Sequence, residues 1–270
     1  MSTLELDGLT AFVTGSGRGL GHAMADRLAE LGANVAIHDR DGSQPARYGE
    51  FSDLSASADH IRRHGTRVTA VTGDVSDPEA VAAMKRHIDE ALGPVHVLVN
   101  CAGGDIGASG GKPVPNTALG ISLEDIRVLT DNNLIGTMVV CQAFVPPMVA
   151  RGSGSVINIA SAAAHFGVSP EVVYSTLKAA VIHYTRCLAR ELLEAGVRVN
   201  AVSPGPTKSA RFQATRPVDP ARMDSSARSL DRYAEPAEIA EAVAFLAGPR
   251  SRFVNGQVIR VDGGLTLFPG

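Results

Sequence analysis

Seven short runs of apolar, often β-branched residues punctuate this chain, at 11–14, 35–38, 68–72, 95–99, 155–160, 197–202 and 257–261. Each is nearly continuously apolar, as a strand buried on both faces must be. Between them lie longer segments, such as 23–31 and 177–193, whose apolar residues recur at spacings of three and four. Alternation of this kind calls for crossover connections, and so for a parallel sheet with helices on both faces. No repeat and no linker rich in Pro, Gly or Ser divides the 270 residues, so residues 1–270 are expected to form one α/β domain.

Composition narrows the function classes. A net charge of −3, with acids and bases interspersed, argues against non-specific nucleic-acid binding and polybasic membrane attachment. No run approaches the ~20 apolar residues of a membrane helix, and residues 1–10 lack the basic flank and apolar run of a signal peptide. Cys101, Cys141 and Cys187 are odd in number and scattered, which fits neither a disulfide framework nor a zinc site. A reducing cytoplasm and no metal are the expectations.

Three segments break the rhythm: 41–57, 103–120 and 204–236. The last two follow candidate strands and so sit at the carboxyl edge of the sheet, where open α/β sheets bind ligands. They are the expected substrate loops, the second a lid.

The first strand runs into Thr14-Gly15-Ser16-Gly17-Arg18-Gly19-Leu20-Gly21. Glycines at such a turn allow close approach of backbone to a pyrophosphate, and the following helix offers it free N–H groups. The G-x-G-x-x-G fingerprint is not matched; the run has the form T-G-x-x-x-G-x-G. In this it resembles the short-chain dehydrogenase/reductase family, in its compact single-domain branch. That resemblance implies a Rossmann-type doubly wound sheet of about seven strands and a nicotinamide cofactor held by Gly15, Gly17, Arg18, Gly19, Leu20 and Gly21.

Asp39 ends the second run, where a carboxylate accepts hydrogen bonds from the adenine ribose hydroxyls and repels a 2′-phosphate. Two like charges ~4 Å apart cost about 4 kcal/mol at an effective dielectric near 20. This favours NAD. Arg18 and Arg40 are basic neighbours that keep NADP open. Asp74 and Val75 resemble the family's adenine-contacting pair, and Asn100-Cys101-Ala102-Gly103 resembles its N-x-A-G motif, with Asn100, Ala102 and Gly103 near the cofactor.

Tyr174 and Lys178 stand four apart, on one face of a helix. Ser161 precedes Tyr174 by thirteen positions, the separation seen in the family. Asn133, in Asn133-Leu134-Ile135-Gly136, resembles the family's helix-borne Asn, with Asn132 the alternative if the register slips. The resemblance implies Tyr174 as acid/base, Lys178 as the ribose-binding cation that lowers its pKa, and Ser161 as the holder of the substrate oxygen. Asn133 would hold a relay water. Activating a free tyrosine at neutral pH requires roughly 4 kcal/mol of phenolate stabilisation, for which nearby cations are the available source.

Pro204-Gly205 resembles the family's P-G segment, with Thr207 where it has Ile and Ser209 where it has Thr. The tail from Gly256 to Gly264 resembles the last strand, which in relatives packs subunits into a homotetramer; a homodimer is the other expectation. The resemblance spans 9–267. It implies an NAD-dependent oxidoreductase acting on a secondary alcohol or lactol. The loops are polar, with Asp105, Lys112, Asn116, Ser169, Glu171, Lys208 and Arg216, which favours a sugar- or polyol-like molecule contacted by Ser161, His165, Tyr174 and Arg211. The alternatives are an NADPH-dependent carbonyl or 3-oxoacyl reductase and, more remotely, an inactive nucleotide-binding regulator.

Overall fold

The computed structural model describes residues 4–226 and 228–267. Seven strands form one sheet: β1 (Thr10–Val13), β2 (Asn34–Asp39), β3 (Val68–Thr72), β4 (Val97–Asn100), β5 (Gly154–Ile159), β6 (Val197–Pro204) and β7 (Val258–Val261). Their order is β3-β2-β1-β4-β5-β6-β7, and every pairing is parallel. The chain order reverses beside β1, so the crevice between the ends of β1 and β4 is the topological switch point.

The helices are α1 (Gly19–Glu30), α2 (Leu54–Arg62), α3 (Pro78–Leu92), α4 (Leu123–Thr130), α5 (Gly136–Arg151), α6 (Val172–Glu191), α7 (Ala210–Thr215) and α8 (Pro236–Ala247). Successive strand residues point to opposite faces, and the core divides accordingly. Ala11 and Val13 pack with α1, α2 and α8 residues such as Met24, Leu28, Ile61 and Ile239. Phe12 packs with Val81, Ile88, Phe144 and Met148 of α3 and α5 on the other face. Phe12 and Phe144 meet with ring centroids 4.8 Å apart.

Three local outcomes differ from expectation. α2 begins at Leu54, inside the segment read as a polar break, because the Asp53 side chain caps it by accepting from the Ala56 N–H at 2.8 Å. The continuous helical stretch Leu123–Arg151 is long and apolar enough to cross a bilayer by composition, but Val140, Phe144, Val145 and Met148 are buried in the domain core. Finally, α1 and α2 bring His22, Asp26 and His60 together as potential metal ligands. That corrects the expectation of no such cluster, since spacing along the chain hides a set drawn from two helices.

Phe12→Ala would open a cavity in the fully buried second core. The expected loss is about 3–5 kcal/mol of unfolding free energy, read by urea titration with the m-value unchanged. A loss below 1 kcal/mol would show that the Phe12–Phe144 contact does not anchor this face.

Candidate active site

The turn after β1 is built for close approach. Gly15 has φ of +63°, and a Cβ there would lie 2.8 Å from Ala102 Cα, so a side chain is excluded. The Thr14 hydroxyl oxygen accepts from the N–H groups of Cys101 and Ala102, both at 3.0 Å. The β1 turn is thus fastened to the end of β4. Beyond it a cavity of about 710 Å³ runs along the carboxyl edge of the sheet. A volume of this order suits a small-molecule or cofactor site, and its glycine-floored cradle at the start of α1 fits a dinucleotide pyrophosphate.

Most of the expected contacts line this cavity: Gly15, Arg18, Gly19, Leu20, Gly21, Asp39, Arg40, Asp74, Val75, Ala102, Gly103, Pro204, Gly205, Thr207 and Ser209. Two do not. Gly17 lies beneath the turn, where a Cβ would meet Asp39 Oδ2 at 2.7 Å. Asn100 turns into the sheet and donates from Nδ2 to Asn158 Oδ1 at 2.9 Å; it braces β4 against β5.

At the adenosine end, Asp39 sits at the tip of β2. Its Oδ1 accepts from the Arg40 N–H at 2.9 Å. Burial raises its pKa, with Arg40's N–H and the Arg18 charge working the other way. The Arg40 guanidinium points away from it, donating to Asp74 Oδ2 at 2.9 Å and Asn132 Oδ1 at 2.8 Å. Arg18 stacks its guanidinium 4.7 Å above the Tyr48 ring.

Three lining residues here escaped the sequence reading: Gln44, Arg47 and Tyr48. Glu50, from the same segment, accepts the Gly19 N–H at 2.8 Å. It occupies a donor that an anion at the start of α1 would otherwise take. A lone tyrosine amid polar residues was the available signal.

At the other end, Ser161, Tyr174 and Lys178 share the cavity wall. Ser161 ends the stretch after β5 and caps a short turn, accepting from the Ala163 N–H at 3.2 Å. The Ser161 side chain acts on the Tyr174 hydroxyl in the sense that favours a phenolate. Burial raises the Tyr174 pKa, against the lowering effects of Arg211 and Ser161. Lys178 is buried on α6 and donates to the Ile159 carbonyl at 2.9 Å. Its Nζ lies 5.8 Å from the Tyr174 ring centroid. Desolvation lowers its pKa to about 8.

Asn133 is fully buried, in a π-turn (Asp131–Ile135) between α4 and α5 rather than in a regular helix. Its Oδ1 accepts from the Gly104 N–H at 2.9 Å, and its Nδ2 donates to the carbonyls of Gly104 and Leu129 at 3.0 and 2.9 Å. The side chain therefore clamps the loop after β4. Nor does His165 line the cavity: its Nε2 lies 2.9 Å from Ser203 Oγ, a hydroxyl offered by the end of β6.

The substrate end is charged. Lys112 and Arg216 both pair with Glu171, the latter at 2.9 Å. Glu171 is the one non-glycine among the described residues with positive φ, at +82°, a conformation that persists only where its surroundings impose it. Arg211 donates to the Gly103 carbonyl at 3.2 Å and forms no ion pair among the described residues.

Comparison with known proteins gives the same lineage. A family model described as enoyl-(acyl carrier protein) reductase matches residues 15–266. The chain belongs to the short-chain dehydrogenase/reductase family. An uncharacterised oxidoreductase of Mycobacterium tuberculosis is 35% identical over 100% of this chain and 96% of that protein. Cyclohexanol dehydrogenase of a Rhodococcus species is 34% identical, covering 97% of this chain and 98% of its own. A gluconate 5-dehydrogenase from Burkholderia cenocepacia, solved with NADP and tartrate, matches with a TM-score of 0.79 at 30% identity over 99% and 98% of the two chains. This short-chain dehydrogenase/reductase is accordingly an oxidoreductase of CH–OH groups that uses a nicotinamide cofactor.

The buried lysine has a pH signature. Below pH 8 both folded and unfolded chains hold the Lys178 proton. Above it the native chain sheds the proton, while the unfolded chain keeps it until about the ordinary lysine value of 10.5. The unfolded state then binds more protons, so stability from this group rises with pH, by about 3 kcal/mol in all. In urea titrations the stability gap between Lys178→Met and wild type should narrow by that order between pH 7.5 and 10.5. A gap that stays constant would mean that Lys178 is not desolvated.

Proposed function

We propose that the enzyme is an NAD-dependent dehydrogenase that oxidises a secondary alcohol or lactol carbon of a polar, sugar- or polyol-like substrate. The observation that carries this reading is one cavity with a ribose-selecting carboxylate, Asp39, at one end and charged groups around Tyr174 at the other. A bound oxidised nicotinamide supplies the hydride acceptor. The chain's own residues do the rest.

Ser161 holds the substrate hydroxyl beside Tyr174 and stabilises the charge that develops on its oxygen. Tyr174 takes the hydroxyl proton as general base. Burial alone works against a phenolate, so the cations facing it carry that stabilisation: Arg211, Arg216 and the neighbouring Lys178. Lys178 also holds the nicotinamide ribose. Asn133 acts through the loop it clamps, positioning Gly103 and Gly104 rather than touching substrate.

Arg211, Lys112 and Arg216 suit a substrate rich in hydroxyls or carrying a carboxylate, and a relative solved with tartrate is compatible with that. The 204–236 segment serves as the lid. The half-exposed edge strand β7, with exposed Phe253 and Leu267 nearby, is the proposed contact of a homotetramer or homodimer. Three free thiols suit a reducing cytoplasm.

A second reading has its own observation. Arg18 over Tyr48, with Arg47 and Arg40 close by, gives the adenosine end several cations. Such a cluster would serve a 2′-phosphate and a carbonyl-reducing enzyme using NADPH.

Titration with NAD, NADH, NADP and NADPH separates the two. NAD(H) should bind at least tenfold more tightly than NADP(H), and Asp39→Ala should erase that preference. A preference for NADP(H) in the wild type would give the reductase reading precedence. Tyr174→Phe should lower turnover by about 10²-fold or more while leaving cofactor affinity unchanged. Undiminished turnover in that variant would sink the general-base assignment.

A further inference from the structure

On the outer side of α1 and α2, away from the cavity, three side chains with metal-binding atoms converge. His22 and Asp26 stand four apart on one face of α1, and His60 lies in the last turn of α2, with His64 in the turn just beyond it. The ligand atoms of His22, Asp26 and His60 all lie within 4.8 Å of one another. His22 Nε2 is 3.1 Å from His60 Nδ1, which is 3.7 Å from Asp26 Oδ1. His64 Nε2 lies 2.9 Å from that same oxygen. A tetrahedral zinc with bonds of about 2.0–2.1 Å separates its ligand atoms by about 3.3 Å, and the His22–His60 and His60–Asp26 edges, at 3.1 and 3.7 Å, lie on either side of that value. We propose that His22, Asp26 and His60 form a zinc site that staples α1 to α2, with His64 holding the Asp26 carboxylate from outside the ligand set.

The chemistry of the set is specific. Two imidazoles and one carboxylate suit a nitrogen-seeking ion such as Zn²⁺, whereas Mg²⁺ and Ca²⁺ take oxygen ligands. Buried Ser57 lies 2.9 Å from His22 Nδ1. Accepting the proton there leaves the Nε2 lone pair facing the cluster, the usual outer support of a histidine ligand. The Phe51 ring packs on His22 and His60, with centroids 4.5 and 5.4 Å away, and walls one side from water. Three protein ligands leave the fourth position to a water, and none of the three lines the cavity, so the ion would serve to tie α1 to α2.

Arg63 shows what the metal would replace. It donates to both Asp26 oxygens, at 3.1 and 3.3 Å, and to His60 Nε2. Its guanidinium thus supplies the positive charge that the carboxylate needs. The side chain is half exposed, so it swings into water when a dication enters, and His60 then carries its proton on Nε2.

The test uses tag-free full-length protein. Zn²⁺ titrated against a chelating indicator should bind one ion per chain. Ser57→Ala should weaken binding about tenfold, and His60→Gln should weaken it further. Arg63→Gln should tighten it by removing the competing cation. A hundredfold excess of Zn²⁺ over Kd should raise the melting temperature by about 5 °C, and His60→Gln should lose that shift.

Circular dichroism reports whether each variant is folded. Should His60→Gln unfold, the wild-type Co²⁺ complex decides instead, since three protein ligands and a water in a tetrahedral array require the intense visible absorption of tetrahedral cobalt. An octahedral spectrum, equal Zn²⁺ affinity in wild type and His60→Gln, or weaker binding in Arg63→Gln would each overturn the site.

Discussion

The fastening of the β1 turn to the end of β4 sets the geometry of everything above the sheet. Thr14 spends its hydroxyl oxygen on two backbone N–H groups across the switch point, and Gly15 lies flat against Ala102 because it has no Cβ to hold it off. Without that contact the crevice would have no floor. With it, the start of α1, the tip of β2 and the loop after β4 face one space. The loop after β4 is then fixed from the far side by Asn133, whose amide satisfies both backbone groups of Gly104. A buried asparagine costs helical propensity, and the π-turn in which it sits is the local concession that lets it reach.

The electrostatics of the cavity follow from burial. Lys178 and Tyr174 are each pushed toward their neutral forms by desolvation, so neither would be charged for its own sake. For the tyrosine, the cations facing it, Arg211 foremost, work against that burial, which still outweighs them. The same arginine opposes the Lys178 charge. A proton leaving the tyrosine and one held on the lysine are therefore coupled through a shared neighbour. Arg211 sits at the start of the 204–236 segment, on α7, so movement of that segment would change the charge felt by both groups.

Much of this was legible in the sequence because it is local. Strand β3 spans 68–72 as the apolar run predicts, and the other strands differ by a residue or two at their ends. Tyr174 and Lys178 read as one unit because helical spacing fixes their relation. What the sequence hid depends on contacts between distant segments. His165 was expected at the substrate, yet Ser203 from the next strand captures it. Asn100 sat in a cofactor motif, yet its side chain serves the sheet through Asn158. Tyr48 and Glu50 lay in a stretch that looked like a polar break, and only the turn that folds them back over α1 gives Tyr48 a place at the cavity and Glu50 its bond to the Gly19 N–H.

The segment between β2 and α2 links the two sites argued from this fold. It begins at Asp39, carries Tyr48 and Glu50 over the start of α1, and presents Phe51 to the rings of His22 and His60 before Asp53 caps α2. Its two ends are tied to α1 by different means: Glu50 to the Gly19 N–H, and α2 through the histidine and aspartate cluster. The second tie joins His22 to Ser57 and His60 and Asp26 to His64, and it includes one exposed arginine, Arg63, which a dication would displace. A bond between α1 and α2 at that point would shorten the freely moving length of the segment that forms the adenosine wall. Rigidity there would lower the entropic cost of closing the wall on a nucleotide, although the cluster touches no part of the cavity.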